Sequence, residues 1–107
     1  MGIFKRKTEA KIRKRKEELI DLINDSCRRI TIEDPEDLKK IKLRNIESKR
    51  KSEKVEIDLE KSYAFNAVFD IIDNHYYKAV HFEAGVLFLD LSDYGFVLAH
   101  SKIKKDI

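Results

Sequence analysis

Tryptophan is absent from this 107-residue chain, cysteine and proline occur once each, and glycine occurs three times. Each scarcity excludes something. A lone cysteine, Cys27, rules out an internal disulfide, so a reducing, cytoplasmic setting is expected. Free cysteine packs as a small hydrophobe, and Cys27 is read as a buried helix residue. The glycines, Gly2, Gly85 and Gly95, are too dispersed for a phosphate-cradling loop. No apolar run approaches the ~20 residues of a membrane span. No apolar segment follows the basic opening, so no secretory signal is read. There is no internal repeat. The length predicts a single domain over 1–107, able to bury a core without staples.

What the chain has is charge, in alternating blocks. Residues 5–16 carry eight Lys/Arg against one acid, and 17–37 carry eight acids against two Arg. Residues 38–54 return to eight Lys/Arg against two Glu, and 55–93 to eight acids against two Lys. The net charge of +3 hides two local basic fields. Of the ten aromatics only Phe4 precedes residue 55, so the core is expected mainly from the second half.

The expected fold is α+β: two or three helices, at about 8–30, 35–53 and 62–77, then a C-terminal three-stranded antiparallel meander at about 78–101. Residues 1–7 are read as a flexible basic tail. Ile12, Leu19, Ile23, Cys27 and Ile30 recur on one helical face. Asp34-Pro35-Glu36-Asp37 carries an N-cap, a proline suited to the first helical position and two first-turn acids, which starts the second helix. Residues 54–60 are ambiguous. Val55, Ile57 and Leu59 alternate with acids as in a strand, yet also continue a helix, and helix is preferred. The segment 62–77 is apolar nearly all round and reads as the central core helix.

Ala84-Gly85 and Ser92-Asp93-Tyr94-Gly95 are read as two hairpin turns, with Gly95 in a left-handed conformation. That sets the pairs Glu83–Val86, Phe82–Leu87 and Val80–Leu89, then Leu91–Phe96 and Leu89–Leu98. The second face of such a sheet would expose Val86, Phe88, Val97 and Ala99 as neighbours. They are read as an interface, covered by helix 1 or by a second chain in a homodimer.

No residue set forms a catalytic constellation, so the protein is expected not to be an enzyme and to need no cofactor or metal. His81 and Glu83 share a strand face, but zinc needs three or four ligands. Asp70 and Asp73 share a helical stripe and read as solvated. The basic segments are the remaining candidates: Lys5, Arg6, Lys7, Lys11, Arg13, Lys14, Arg15 and Lys16, then Lys39, Lys40, Lys42, Arg44, Lys49, Arg50, Lys51 and Lys54. Such clusters neutralise phosphates and release counterions. The second contains no aromatic, and only Phe4 lies beside the first, so base stacking is not expected. The leading expectation is a small accessory or regulatory protein that binds a nucleic-acid backbone through basic helices kept on a common face. The alternative is a protein-interaction module of the inhibitor, immunity or accessory-subunit kind. Ile3-Phe4 beside Lys5-Arg6-Lys7 adds a weaker membrane-docking option.

Overall fold

The computed structural model describes residues 2–47, 54–60 and 64–103, with side chains in the first helix from Ala10 onward. The class is α+β, as expected, but the sheet has four strands and is mixed. Helix α1, Gly2–Ser26, begins earlier than expected, so the backbone of 2–7 belongs to its first turns. The expected face is the buried one: Leu19, Ile20, Ile23 and Cys27 enter the core, Ile30 follows, and Ile12 packs against it partly buried. After the helix, the Asn24 side chain grips the Ile32 backbone. It accepts from the Ile32 N–H at 2.9 Å and donates to the Ile32 carbonyl at 3.0 Å, which turns the chain back.

The cap at Asp34 forms as read, its carboxylate accepting from the Glu36 N–H at 2.9 Å. The helix it starts stops at once: Pro35–Asp37 is a single 3₁₀ turn. The expected helix 35–53 is therefore corrected. Lys40–Asn45 is strand β1 and Lys54–Asp58 is strand β2, paired antiparallel. The reason lies in the alternation Lys40-Ile41-Lys42-Leu43-Arg44-Asn45. It buries Ile41, Leu43 and Asn45 and leaves every cation on the other face. The expected helix residues 48–53 lie outside the described segments.

Helix α2, Phe65–Asp73, is shorter than expected but buries Phe65, Ala67, Val68, Ile71 and Ile72 as the core helix should. His75 then takes a left-handed φ of 56° and the chain enters β3, Ala79–Glu83. The β3–β4 hairpin keeps the expected register: Glu83↔Val86, Phe82↔Leu87 and Val80↔Leu89. Ala84 and Gly85 both have positive φ, as a two-residue turn of this kind requires.

Strand β4, Val86–Leu91, then pairs parallel with β1, giving the order β2-β1-β4-β3. The expected third meander strand is corrected to helix α3, Asp93–Ile103. The pairs Leu91–Phe96 and Leu89–Leu98 do not form, because β1 occupies the far side of β4. Gly95 is not left-handed. It sits in the first turn of α3, where a Cβ would lie 2.7 Å from the Tyr76 carbonyl oxygen. Ser92 accepts from the Gly95 N–H at 3.3 Å and caps the helix.

One hydrophobic cluster joins α1, α2 and α3 to the inner sheet face of Ile41, Leu43, Ile57, Leu87, Leu89 and Leu91. Leu89 and Ile71 are both buried in this cluster. Leu89→Ala is expected to cost ~2–5 kcal/mol in a denaturant melt, the range for emptying a packed core site. Gly95→Ala is expected to destabilise as well, although alanine favours an exposed helix by about 1 kcal/mol. A gain in stability would show that α3 does not approach Tyr76 closely.

Candidate functional site

The fold treats the two basic segments differently. The first lies along α1, with the helix axis running parallel to α2. Arg15 meets Asn66 near the start of α2 at 2.7 Å, and Cys27 meets Tyr77 just past its end at 3.5 Å. Arg15 is a staple between helices: it also pairs with Glu18 at 3.1 Å and lies 4.6 Å over the Phe69 ring. Arg13 has only a long 3.7 Å contact to Glu17, both exposed. Lys11 and Lys14 are exposed and have no carboxylate partner among the described residues. Lys5, Arg6 and Lys7 belong to the same helix, but their side chains lie outside the described residues. Positive charge at a helix N-terminus opposes the macrodipole, so nothing in the isolated helix rewards this arrangement.

The second segment lies on strands, not on a helix. Lys40, Lys42 and Arg44 project from β1 onto the outer sheet face, beside Lys54 of β2. This face is largely neutralised from within. Glu56 sits between Lys40 at 3.0 Å and Lys42 at 3.7 Å. Lys40 first, then Lys42, holds the Glu56 carboxyl below its usual range. Asp90 takes Arg44 in a two-pronged bond of 2.6 and 3.0 Å. Lys39 remains exposed at the start of the strand, and Lys49, Arg50 and Lys51 lie outside the described residues. Among the described residues the helices pack on the inner face, and these strand cations lie on the outer one.

Parallel pairing sets Phe88 beside Lys42, and the hairpin sets His81 opposite Phe88. His81 stacks on the ring at 4.5 Å, while Arg44 and Lys42 lie 4.8 and 5.7 Å from its centroid. The aromatic missing from the basic segment in sequence is thus supplied in space. Its neighbours already occupy the ring, which accounts for a half-buried Phe88 on an uncovered sheet face.

The expected interface is corrected. Val86 and Phe88 are on the outer face, but Val97 and Ala99 belong to α3 on the opposite side. Ala99 is buried and Val97 is 65% exposed. The α1 stripe expected to need cover finds it in α2 and the chain's own sheet. The three histidines do not converge: His75 stacks on Tyr77, His81 on Phe88 and His100 on Phe96. Asp70 pairs with Lys102. Among the described residues no three His, Cys, Asp or Glu side chains are grouped to hold a metal ion. No helix among them is long and apolar enough to cross a membrane.

Two sets of ion pairs at this sheet have no counterpart in the sequence expectations. One is the pairing of Glu56 and Asp90 with the β1 cations, for which alternation in both strands was the available signal. The other is Glu47, which binds Lys78 and accepts from the Asp93 N–H, closing the sheet end against α3. Lys78 first, then that N–H, holds the Glu47 carboxyl below its usual range. No family model, curated protein or solved structure matches this chain.

Cys27 and Tyr77 form a polar contact at the edge of the core. Burial, then the Cys27 contact, pushes the Tyr77 phenol up to about 12. Its protonated form is favoured by folding, so this contribution is intact below the unfolded value of about 10 and is lost as pH rises from there towards 12. Ultraviolet titration is expected to show Tyr77 ionising late. Tyr77→Phe should remove that late step and flatten stability over the same window.

Proposed function

We propose that this chain is a non-enzymatic accessory or regulatory protein that binds a polyanion, a nucleic-acid backbone, through the basic first half of α1. The observation that carries the reading is the contrast between the two basic segments. The β1 cations Lys40, Lys42 and Arg44 are matched by Glu56 and Asp90. The helix retains Lys11 and Lys14 exposed and unpaired among the described residues, on the segment where eight cations face one acid. Helix cations with no internal acid attract phosphates and release counterions, and they position a backbone without reading bases.

Lys40, Lys42 and Arg44 are given a structural role, and α1 the binding role. A second reading, a protein-interaction module or homodimer, is favoured by a different observation. Tyr94 and Val97, three residues apart on α3, are 68% and 65% exposed, and Tyr76 edges onto Tyr94 at 6.4 Å. Large apolar groups grouped in this way suit a protein contact.

Fluorescence anisotropy with labelled duplex DNA and RNA separates the two. Affinity should fall steeply with salt, and Lys11→Glu with Lys14→Glu should weaken binding at least about tenfold and lower the salt slope by about 2. Lys40→Glu with Lys42→Glu should change it far less. No binding of the unaltered protein at low salt would sink the nucleic-acid reading. Light scattering that gives a dimer mass, reduced to monomer by Val97→Asp, would favour the second.

A further inference from the structure

Lys16 is the one described lysine that the fold buries, at 6% exposure. A lysine is almost never withdrawn this far without a partner. Among the described residues no hydrogen bond or ion pair reaches its ammonium. The ammonium is also not sealed in, since no enclosed side-chain nitrogen in the described structure lacks a partner. Lys16 lines a cavity of about 450 Å³, bounded by α1, the Pro35–Asp37 turn and the residues that follow β2.

The described lining is Ile12, Arg13, Lys16, Glu36, Leu59 and Glu60. It has an order. Both cations come from α1, one turn apart, and both carboxylates come from other elements. Ile12 and Leu59 supply the apolar part. The simplest outcome of folding would be for Lys16 to pair with Glu36 or Glu60. Neither carboxylate comes within ion-pair distance, and neither has another side-chain partner among the described residues. Arg13 holds only its long contact to exposed Glu17. Opposite charges therefore line one cavity from separate elements without meeting. Its volume falls in the ~300–1,000 Å³ range of small-molecule sites.

We propose that this cavity binds a small zwitterion of the amino-acid or short-peptide class. Its carboxylate lies on Lys16 and Arg13, and its ammonium on Glu36 and Glu60. A ligand with both charges completes both half-pairs at once, whereas a simple anion would face the two carboxylates and a simple cation the two basic groups. Charge-assisted hydrogen bonds of this kind form in a site already withdrawn from water on the Lys16 side. The proposal does not depend on nucleic-acid binding and stands or falls separately from it.

The test is an amide and lysine-ammonium NMR titration of the full chain with glycylglycine, run beside acetate and ethylammonium. Saturable shifts are expected at Lys16, Leu59 and Glu60, with glycylglycine binding at least about tenfold tighter than either single ion, a difference of about 1.4 kcal/mol. Lys16→Met, which keeps the length of the side chain, and Glu60→Gln, at an exposed position, should each weaken binding about tenfold. Arg28→Met, a cation beyond the far end of α1, should not. Thermal melts of the variants check that each remains folded. Three results would overturn the proposal: no saturable shift with glycylglycine, acetate bound as tightly as the dipeptide, or unchanged affinity in both Lys16→Met and Glu60→Gln.

Discussion

The parallel pairing of β1 with β4 is the constraint on which the rest of the structure depends. These are the two central strands, in register from Lys40↔Val86 to Asn45↔Leu91. Their inner residues, Ile41, Leu43, Leu87, Leu89 and Leu91, are fully buried. Burying each side chain of this size contributes ~1.5–3 kcal/mol, and a register slip by one residue would turn the set outward. A parallel neighbour cannot be reached by a tight turn, so β2, α2 and β3 must all be traversed between the two strands. The pairing is anchored at both ends. The Gly85 carbonyl accepts from Lys39 at 2.8 Å at one end, and the Leu91 carbonyl accepts from Ile46 at 3.1 Å at the other. A side chain at Gly85 would also crowd the Asp37 carbonyl oxygen at 3.1 Å.

From that pairing follows the sorting of charge. Blocks that alternate along the chain meet in space where strands, or at Asp70 and Lys102 two helices, bring them together. The basic block of 38–54 is laid against acids from the 55–93 block, Glu56 across β2 and Asp90 across β4. The basic block of 5–16 lies on a helix where, among the described residues, Glu17 and Glu18 reach Arg13 and Arg15 alone. Composition treats the two blocks alike. The difference between a structural block and an available one is a property of topology, and Lys16 shows the same effect at one residue. It belongs to the basic block but is carried inward by its place on the buried face of α1.

Much of the local structure was legible. The α1 face, the α2 core, the Asp34 cap and the β3–β4 register all rest on interactions a few residues apart. Where the reading failed, two local signals competed. Around residue 38 a strong helix start preceded a run of six alternating residues, and the alternation won because it could join a sheet while the helix had no second apolar face. At 92–103 the β-rich residues Tyr94, Phe96 and Val97 suggested a strand. The capping serine Ser92, the first-turn Asp93 and the spacing of Phe96, Ala99 and Ile103 pointed to a helix. The helix prevailed because β1 already filled the only free edge of β4.

The sequence by itself determined the α+β class, which residues are apolar enough to be buried, and the hairpin at Ala84-Gly85. These depend on side-chain period and turn stereochemistry, which act over a few residues. Only the tertiary structure decided that β4 takes β1 as its second neighbour and that Phe88 stands among Lys42, Arg44 and His81. It alone decided that the β1 cations are paired while Lys16 lines a cavity unpaired among the described residues. Apart from the hairpin pair of His81 and Phe88, these join residues from fourteen positions apart, Lys42 and Glu56, to forty-six, Arg44 and Asp90. Their energies depend on distance in space and on exclusion of water, and no local pattern in the chain encodes either.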